Sequence, residues 1–97
     1  MVRSMIRTVE LTRDAQKDLR KAPAPIVGKF RAWVDDVEHN GLEQARKRPG
    51  YHDEPLRGQR AGQRSVRLNQ AWRAIYEVQA DGALAIVQVQ EVNKHDY

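Results

Sequence analysis

Between His52 and Tyr76 the chain reads HDEPLRGQRAGQRSVRLNQAWRAIY, in which Arg57, Arg60, Arg64, Arg67 and Arg73 recur while no acidic residue follows Glu54. Guanidinium groups at this density suit a solvated surface, a seat for phosphates, or the charge-stabilising half of a site that cuts phosphodiesters. Each offers a planar fork of donors and keeps its charge at any physiological pH. The third role also needs a group that moves protons. Such groups stand at the two ends: Glu54 opens the stretch, and His95 sits in the terminal EVNKHDY. An imidazole changes charge near neutral pH, so beside fixed cations it can carry the proton that phosphodiester cleavage transfers. Read alone, a terminal histidine is usually just an exposed side chain.

The chain as a whole limits what these groups can belong to. Its 97 residues, 40% of them hydrophobic, are enough for one domain spanning 1–97 with one core. They are too few for a cofactor domain beside a substrate domain, and no cofactor is expected. A formal net charge of +4 favours a polyanionic partner, since such a field concentrates nucleic acid whatever its sequence. The absence of cysteine removes disulfide and thiolate chemistry and fits a reducing compartment. The opening MVRSMIRTVEL lacks the apolar run of a signal peptide, and no segment has the length of a membrane span, so a cytoplasmic protein with no membrane partner is expected. His39, His52 and His95 are scattered without metal-ligand spacing, and no metal site is expected.

The elements that must position the arginines follow from periodicity. MIRTVEL alternates as a strand up to Thr12, whose hydroxyl suits a helix N-cap. From Arg13 to Ala22, Ala15, Leu19 and Ala22 form one helical stripe, and Pro23 stops it. Pro25 suits the first turn of a second helix with an apolar face of Ile26, Phe30, Trp33, Val34 and Val37, ended by Asn40 and Gly41. These two helices read as an antiparallel hairpin. LEQARKR is a short helical turn, and 51–62 reads as a polar loop punctuated by Pro55, Gly58 and Gly62. The period then changes to two in QRSVRLN and WRAIYEVQ, joined by a tight turn near Gln70 and Ala71. Asp81-Gly82 marks a hairpin into ALAIVQVQEV. The expected fold is α+β: an N-terminal strand, an antiparallel helical hairpin, then a three-stranded antiparallel meander, with the hairpin on one face of the sheet.

Alternation assigns the side chains to faces. Arg64, Val66 and Leu68 share one face of their strand and Ser65, Arg67 and Asn69 the other; Trp72, Ala74, Tyr76 and Val78 oppose Arg73, Ile75 and Glu77 in the next. With the apolar faces against the helices, Arg67 and Arg73 project from the uncovered face as a seat for phosphate. The alternative is a surface ion pair with Glu77, Glu91 or Glu54, worth little.

The strand, helical hairpin and meander, the loop DEPLRG, the strands GQRSVRL and WRAIYEV, and the terminal histidine and tyrosine together resemble the RelE/ParE superfamily of type II toxin-antitoxin toxins. The branch most resembled is that of the ribosome-dependent messenger RNA endonucleases of RelE, HigB and YoeB type. The resemblance implies the RelE-like microbial RNase fold. It also implies metal-independent cleavage of messenger RNA in the ribosomal A site by attack of the ribose 2′-hydroxyl, which leaves a 2′,3′-cyclic phosphate and a 5′-hydroxyl.

Carried over by residue, the resemblance makes Glu54 a general base, and Arg67 and Arg73 the stabilisers of charge on the phosphate. His95 and Tyr97 would protonate the leaving group and hold the scissile nucleotide, with Asp96 as an insertion into the family's histidine-tyrosine ending. His52 is a second histidine candidate in the loop, as in HigB-like toxins. His52, Arg57, Arg60, Arg64 and Lys94 would contact flanking RNA. The implied partners are the ribosome with its messenger RNA and a cognate antitoxin, such as a small helix-turn-helix protein. Two alternatives remain: a ParE-like poison of DNA gyrase, and an inactive module that only binds nucleic acid or antitoxin.

Overall fold

The computed structural model describes residues 6–81 and 84–94. Strand β1 (Thr8–Leu11) runs into Thr12, whose Oγ1 accepts from the Ala15 amide at 3.1 Å and so caps helix α1 (Arg13–Lys21). Pro23 breaks the chain before helix α2 (Ala24–Asn40), with Pro25 in its first turn where no amide partner is lost. Ile26, Phe30, Trp33 and Val37 recur every three or four residues along α2, and all are buried. Gly41, at φ 88°, ends the helix in a region that side chains disfavour, and a five-residue helix α3 (Leu42–Arg46) follows.

The remaining elements are β2 (Glu54–Pro55), β3 (Gln63–Arg67), β4 (Trp72–Asp81) and β5 (Leu84–Lys94). They form a five-stranded sheet in the order β1-β5-β4-β3-β2, antiparallel throughout except for the parallel β1–β5 pair. The expected strand, hairpin and meander are all present. The segment read as an unbroken loop contains one further piece of order, the two-residue strand β2, which pairs Glu54 with Ser65 and Pro55 with Arg64. Pro55 signals a break in sequence, yet an edge strand tolerates proline because its outward amide needs no partner. The register Asp81↔Leu84 brings β4 and β5 together where the hairpin was expected; Gly82 itself lies outside the described residues.

One core lies between the helices and one face of the sheet. The Trp33 ring lies tilted against those of Tyr76 at 5.4 Å and Phe30 at 5.9 Å, in one cluster with Val66, Ala74, Val87 and Val89. Val78 shares the inner face of β4 with Tyr76 but is 45% exposed. A bulge opposite Ile75 and Tyr76 inserts Gln90 into β5. Helix α1 satisfies the backbone that the bulge disturbs: the Thr12 hydroxyl donates to the Gln90 carbonyl at 2.9 Å, and the Val92 amide donates to Asp18 at 2.9 Å. The bulge leaves Gln90 and Glu91 both on the face away from the helices, where Gln90 bonds Glu77 and Gln88.

Candidate functional site

The turn between β3 and β4 fixes the arginine pair. Asn69 folds back and its Oδ1 accepts from the amides of Ala71 and Trp72, each at 2.8 Å, which is the local bonding for which asparagine is suited in turns. The turn sets Arg67 directly opposite Arg73 on adjacent strands. Like charges so placed repel and weaken the sheet unless an anion sits near them.

The next row across the uncovered face is Glu54, Ser65, Ile75 and Glu91, one residue from each of four strands. Arg73 Nη1 lies 3.4 Å from Glu54 Oε1 and 3.2 Å from Ser65 Oγ, and its side chain is only 12% exposed. Arg60 reaches in from a short 3-10 turn at Gly58–Arg60 to Glu91 at 2.5 Å and to Gln63 at 2.9 Å. His52 closes the constellation, with Nε2 at 3.4 Å from Glu54 Oε2. Its backbone is left-handed, φ 44°, at the end of the 3-10 turn Pro49–Tyr51. That conformation costs a non-glycine residue energy, and here it turns the chain into β2.

Glu54, His52, Arg67 and Arg73 are therefore gathered at one end of the uncovered face, together with Ser65, to which sequence reasoning gave a face but no role. Arg60 is there too, held by Glu91. Arg57 and Lys94 are exposed, but Lys94 pairs with Trp72 and so falls on the helix-side face of β5, apart from the arginine pair. His95 and Tyr97 lie outside the described residues; the last described pairs of β5 are Asn93 with Arg73 and Lys94 with Trp72.

Arg64 sits elsewhere. It occupies the helix-side face, where its Nε donates to Asp53 Oδ1 at 2.5 Å, so it belongs to a different cluster from Arg67 and Arg73. The other oxygen of Asp53 accepts from the Tyr76 hydroxyl at 2.6 Å, and the Asp53 side chain is 1% exposed. Burial, then the bond to Asp53, push the Tyr76 phenol far above its ordinary range. Burial also works against the Arg64 charge, but the bond to Asp53, the Asp53 charge and the Tyr76 phenol together outweigh it and leave the guanidinium more firmly protonated than usual. This buried triad was missed in the sequence. The available signal was the adjacent pair Asp53-Glu54, which an extended backbone must send to opposite faces.

The corner can hold a phosphate between two guanidiniums, place a carboxylate beside it, and admit a second titratable group. Residues 9–95 match the family described as "ParE toxin of type II toxin-antitoxin system, parDE". Solved structures share the fold. A YoeB/ParE toxin from Agrobacterium tumefaciens superposes with a TM-score of 0.68 at 21% identity, covering 92% of this chain and 99% of that one. YafQ from E. coli superposes at 0.72 with 19% identity, covering 92% and 93%. A chain of the toxin-antitoxin complex RelBE2 from Mycobacterium tuberculosis superposes at 0.58 with 27% identity, covering 93% and 99%. No curated protein matches the sequence itself at a significant level. With the family match spanning nearly the whole chain and these neighbours sharing its fold, the protein belongs to the RelE/ParE superfamily as a toxin of a type II toxin-antitoxin system.

Proposed function

We propose that this toxin is a metal-independent endoribonuclease that cuts messenger RNA within the ribosome. The observation that carries the reading is the direct opposition of Arg67 and Arg73, with Glu54 against Arg73 and His52 against Glu54. A phosphate seated between them would meet two guanidinium forks, with the Glu54 carboxylate already beside Arg73. In the reaction, the ribose 2′-oxygen attacks phosphorus while Glu54 takes its proton. The bond from phosphorus to the 5′-oxygen breaks, and His95 supplies the proton that the leaving 5′-oxygen needs. The arginines stabilise the extra negative charge at phosphorus, where preorganised donors act most strongly. Ser65 positions Arg73 for that role, and Tyr97 holds the scissile nucleotide.

The antitoxin partner of such a protein blocks a basic surface by bringing carboxylates and an amphipathic helix to it. The neighbouring structures include toxin-antitoxin complexes, DinJ-YafQ and RelBE2. A second reading is a ParE-like gyrase poison, favoured by the description of the matching family. Induction of the chain in a bacterium with pulse-labelling separates the two. Our reading expects protein synthesis to stop first; loss of replication or of DNA supercoiling before translation would replace it with the gyrase reading.

A further inference from the structure

Beside the arginine pair lies a groove of about 350 Å3, lined by Lys29, Arg48, Gly50, Tyr51, Arg67 and Leu68. Its position follows from the short β2. That strand covers β3 only at Arg64 and Ser65, so at Arg67 β3 is the free edge of the sheet, and the exposed side chain there borders both the uncovered face and the groove. Lys29 comes from α2 and is exposed. Arg48 is held from behind by Asp36, which accepts from its Nε and, at 2.8 Å, from its Nη2. Asp36 also accepts from Asn40 at 2.8 Å, and its side chain is 10% exposed while that of Arg48 is 50% exposed. The carboxylate thus faces inward and the cation outward. Three cations against one carboxylate leave the groove positive. Tyr51 is the aromatic member of the lining, half-buried against the core.

Resting on the nuclease reading, we propose that this groove seats the nucleotide next to the scissile one, with its base against Tyr51 and its phosphate between Lys29, Arg48 and Arg67. The volume lies within the range of small-ligand pockets. An aromatic wall amid cations that track a backbone is how single-stranded nucleic acid is held without sequence preference. Arg67 makes the groove continuous with the reacting corner, so a strand whose phosphate lies between Arg67 and Arg73 must pass it. Arg67 then bridges two successive phosphates. Asp36 is a positioning residue: it stops the Arg48 side chain from folding away and thereby reduces the ordering cost of each phosphate contact.

The test is equilibrium binding of a six-nucleotide 2′-O-methyl oligouridylate, which cannot be cleaved, and of the same strand without bases, by fluorescence anisotropy at several salt concentrations. Wild type should bind the base-bearing strand about 10-fold more tightly than the base-free one, the scale of one stacked base. Tyr51→Leu, which keeps apolar packing, should abolish that preference, and Tyr51→Phe should retain it. Lys29→Ala should weaken both strands and lower the slope of log affinity against log salt by about 1. Equal binding of the two strands by wild type, a base preference that survives in Tyr51→Leu, or no binding by wild type would each overturn the groove. Translation arrest with cleaved messenger RNA alongside any of those results would leave the nuclease reading standing and remove the groove alone. A base preference that Tyr51→Leu abolishes, in a protein that cuts nothing, would do the reverse.

Discussion

Asp53 and Glu54 are neighbours in sequence, yet they serve opposite faces of the sheet. Asp53 points toward the helices, 1% exposed, with its oxygens bonded to Arg64 and Tyr76. Glu54 points away, 47% exposed, beside His52 and Arg73. The first carboxylate sits in a closed set of partners with nothing left to offer a ligand. The second has two loose contacts, each at 3.4 Å, which leaves it able to exchange partners or accept a proton. The difference teaches that a buried, fully bonded polar cluster ties the loop to the sheet, while the half-satisfied one beside it is the cluster we propose to work. The Asp53 triad anchors the segment that carries His52 and Glu54.

That contrast can be broken from either side. Asp53→Ala should have the largest effect on stability. It leaves Arg64 partly buried without its anion and strands the Tyr76 hydroxyl, at a cost of about 3 kcal/mol, the low end for a broken buried pair because Arg64 keeps some solvent contact. Thermal unfolding should fall by roughly 12 °C or more. Asp53→Asn, which keeps an acceptor for Tyr76, should lose less. If Asp53→Ala unfolds like wild type, the anchoring role is wrong.

On the other face, Arg73→Ala should change melting little but slow cleavage on the ribosome by about 10²-fold, the usual consequence of removing a preorganised donor to developing charge. Arg60→Ala comes next. Because Arg60 already spends its charge on Glu91 and Gln63, its loss should weaken ribosome association and shallow the salt dependence, with a smaller effect on the bound rate.

The smallest effect concerns the pair of half-buried Asp36 and exposed Arg48. The Arg48 hydrogen bond holds the Asp36 carboxyl below its ordinary value of 3.8. A depressed folded value means that the pair stabilises the fold above about pH 4 and ceases to do so as pH falls through that lower value. Solvent screening around Arg48 keeps the contribution small. Urea unfolding of wild type and Asp36→Asn should therefore differ slightly at pH 7 and converge near pH 2; a gap that persists in acid would contradict the assignment.

Much of the fold was legible because period and punctuation agreed. Pro23, Pro25 and Gly41 bound the helices where side-chain spacing starts and stops, and the strict alternation of β3 and β4 puts Arg67 and Arg73 on one face. What sequence could not give was register and reach. Asn69 decides that Arg67 meets Arg73 directly rather than one pair further on, and its side-chain bonds are not visible in composition. Arg64 alternates with the apolar residues, so its helix-side placement was readable, but its partner Asp53 comes from 11 residues away through a loop whose short strand a proline disguises. Ile75 falls on the uncovered face and is nonetheless buried, 5% exposed, in the row between Ser65 and Glu91. Alternation reports a side, and burial depends on what lies over it.

The most direct test of the central claim is single-turnover cleavage of messenger RNA on programmed ribosomes, followed across pH for wild type, Arg73→Ala and His95→Gln. The account predicts 2′,3′-cyclic phosphate products from wild type and a rate about 10²-fold lower for Arg73→Ala with ribosome binding retained. His95→Gln, which keeps a hydrogen-bonding side chain but cannot titrate, should be slow with a flattened profile around neutrality. Unchanged rates for both variants, or intact messenger RNA with wild type, would contradict it.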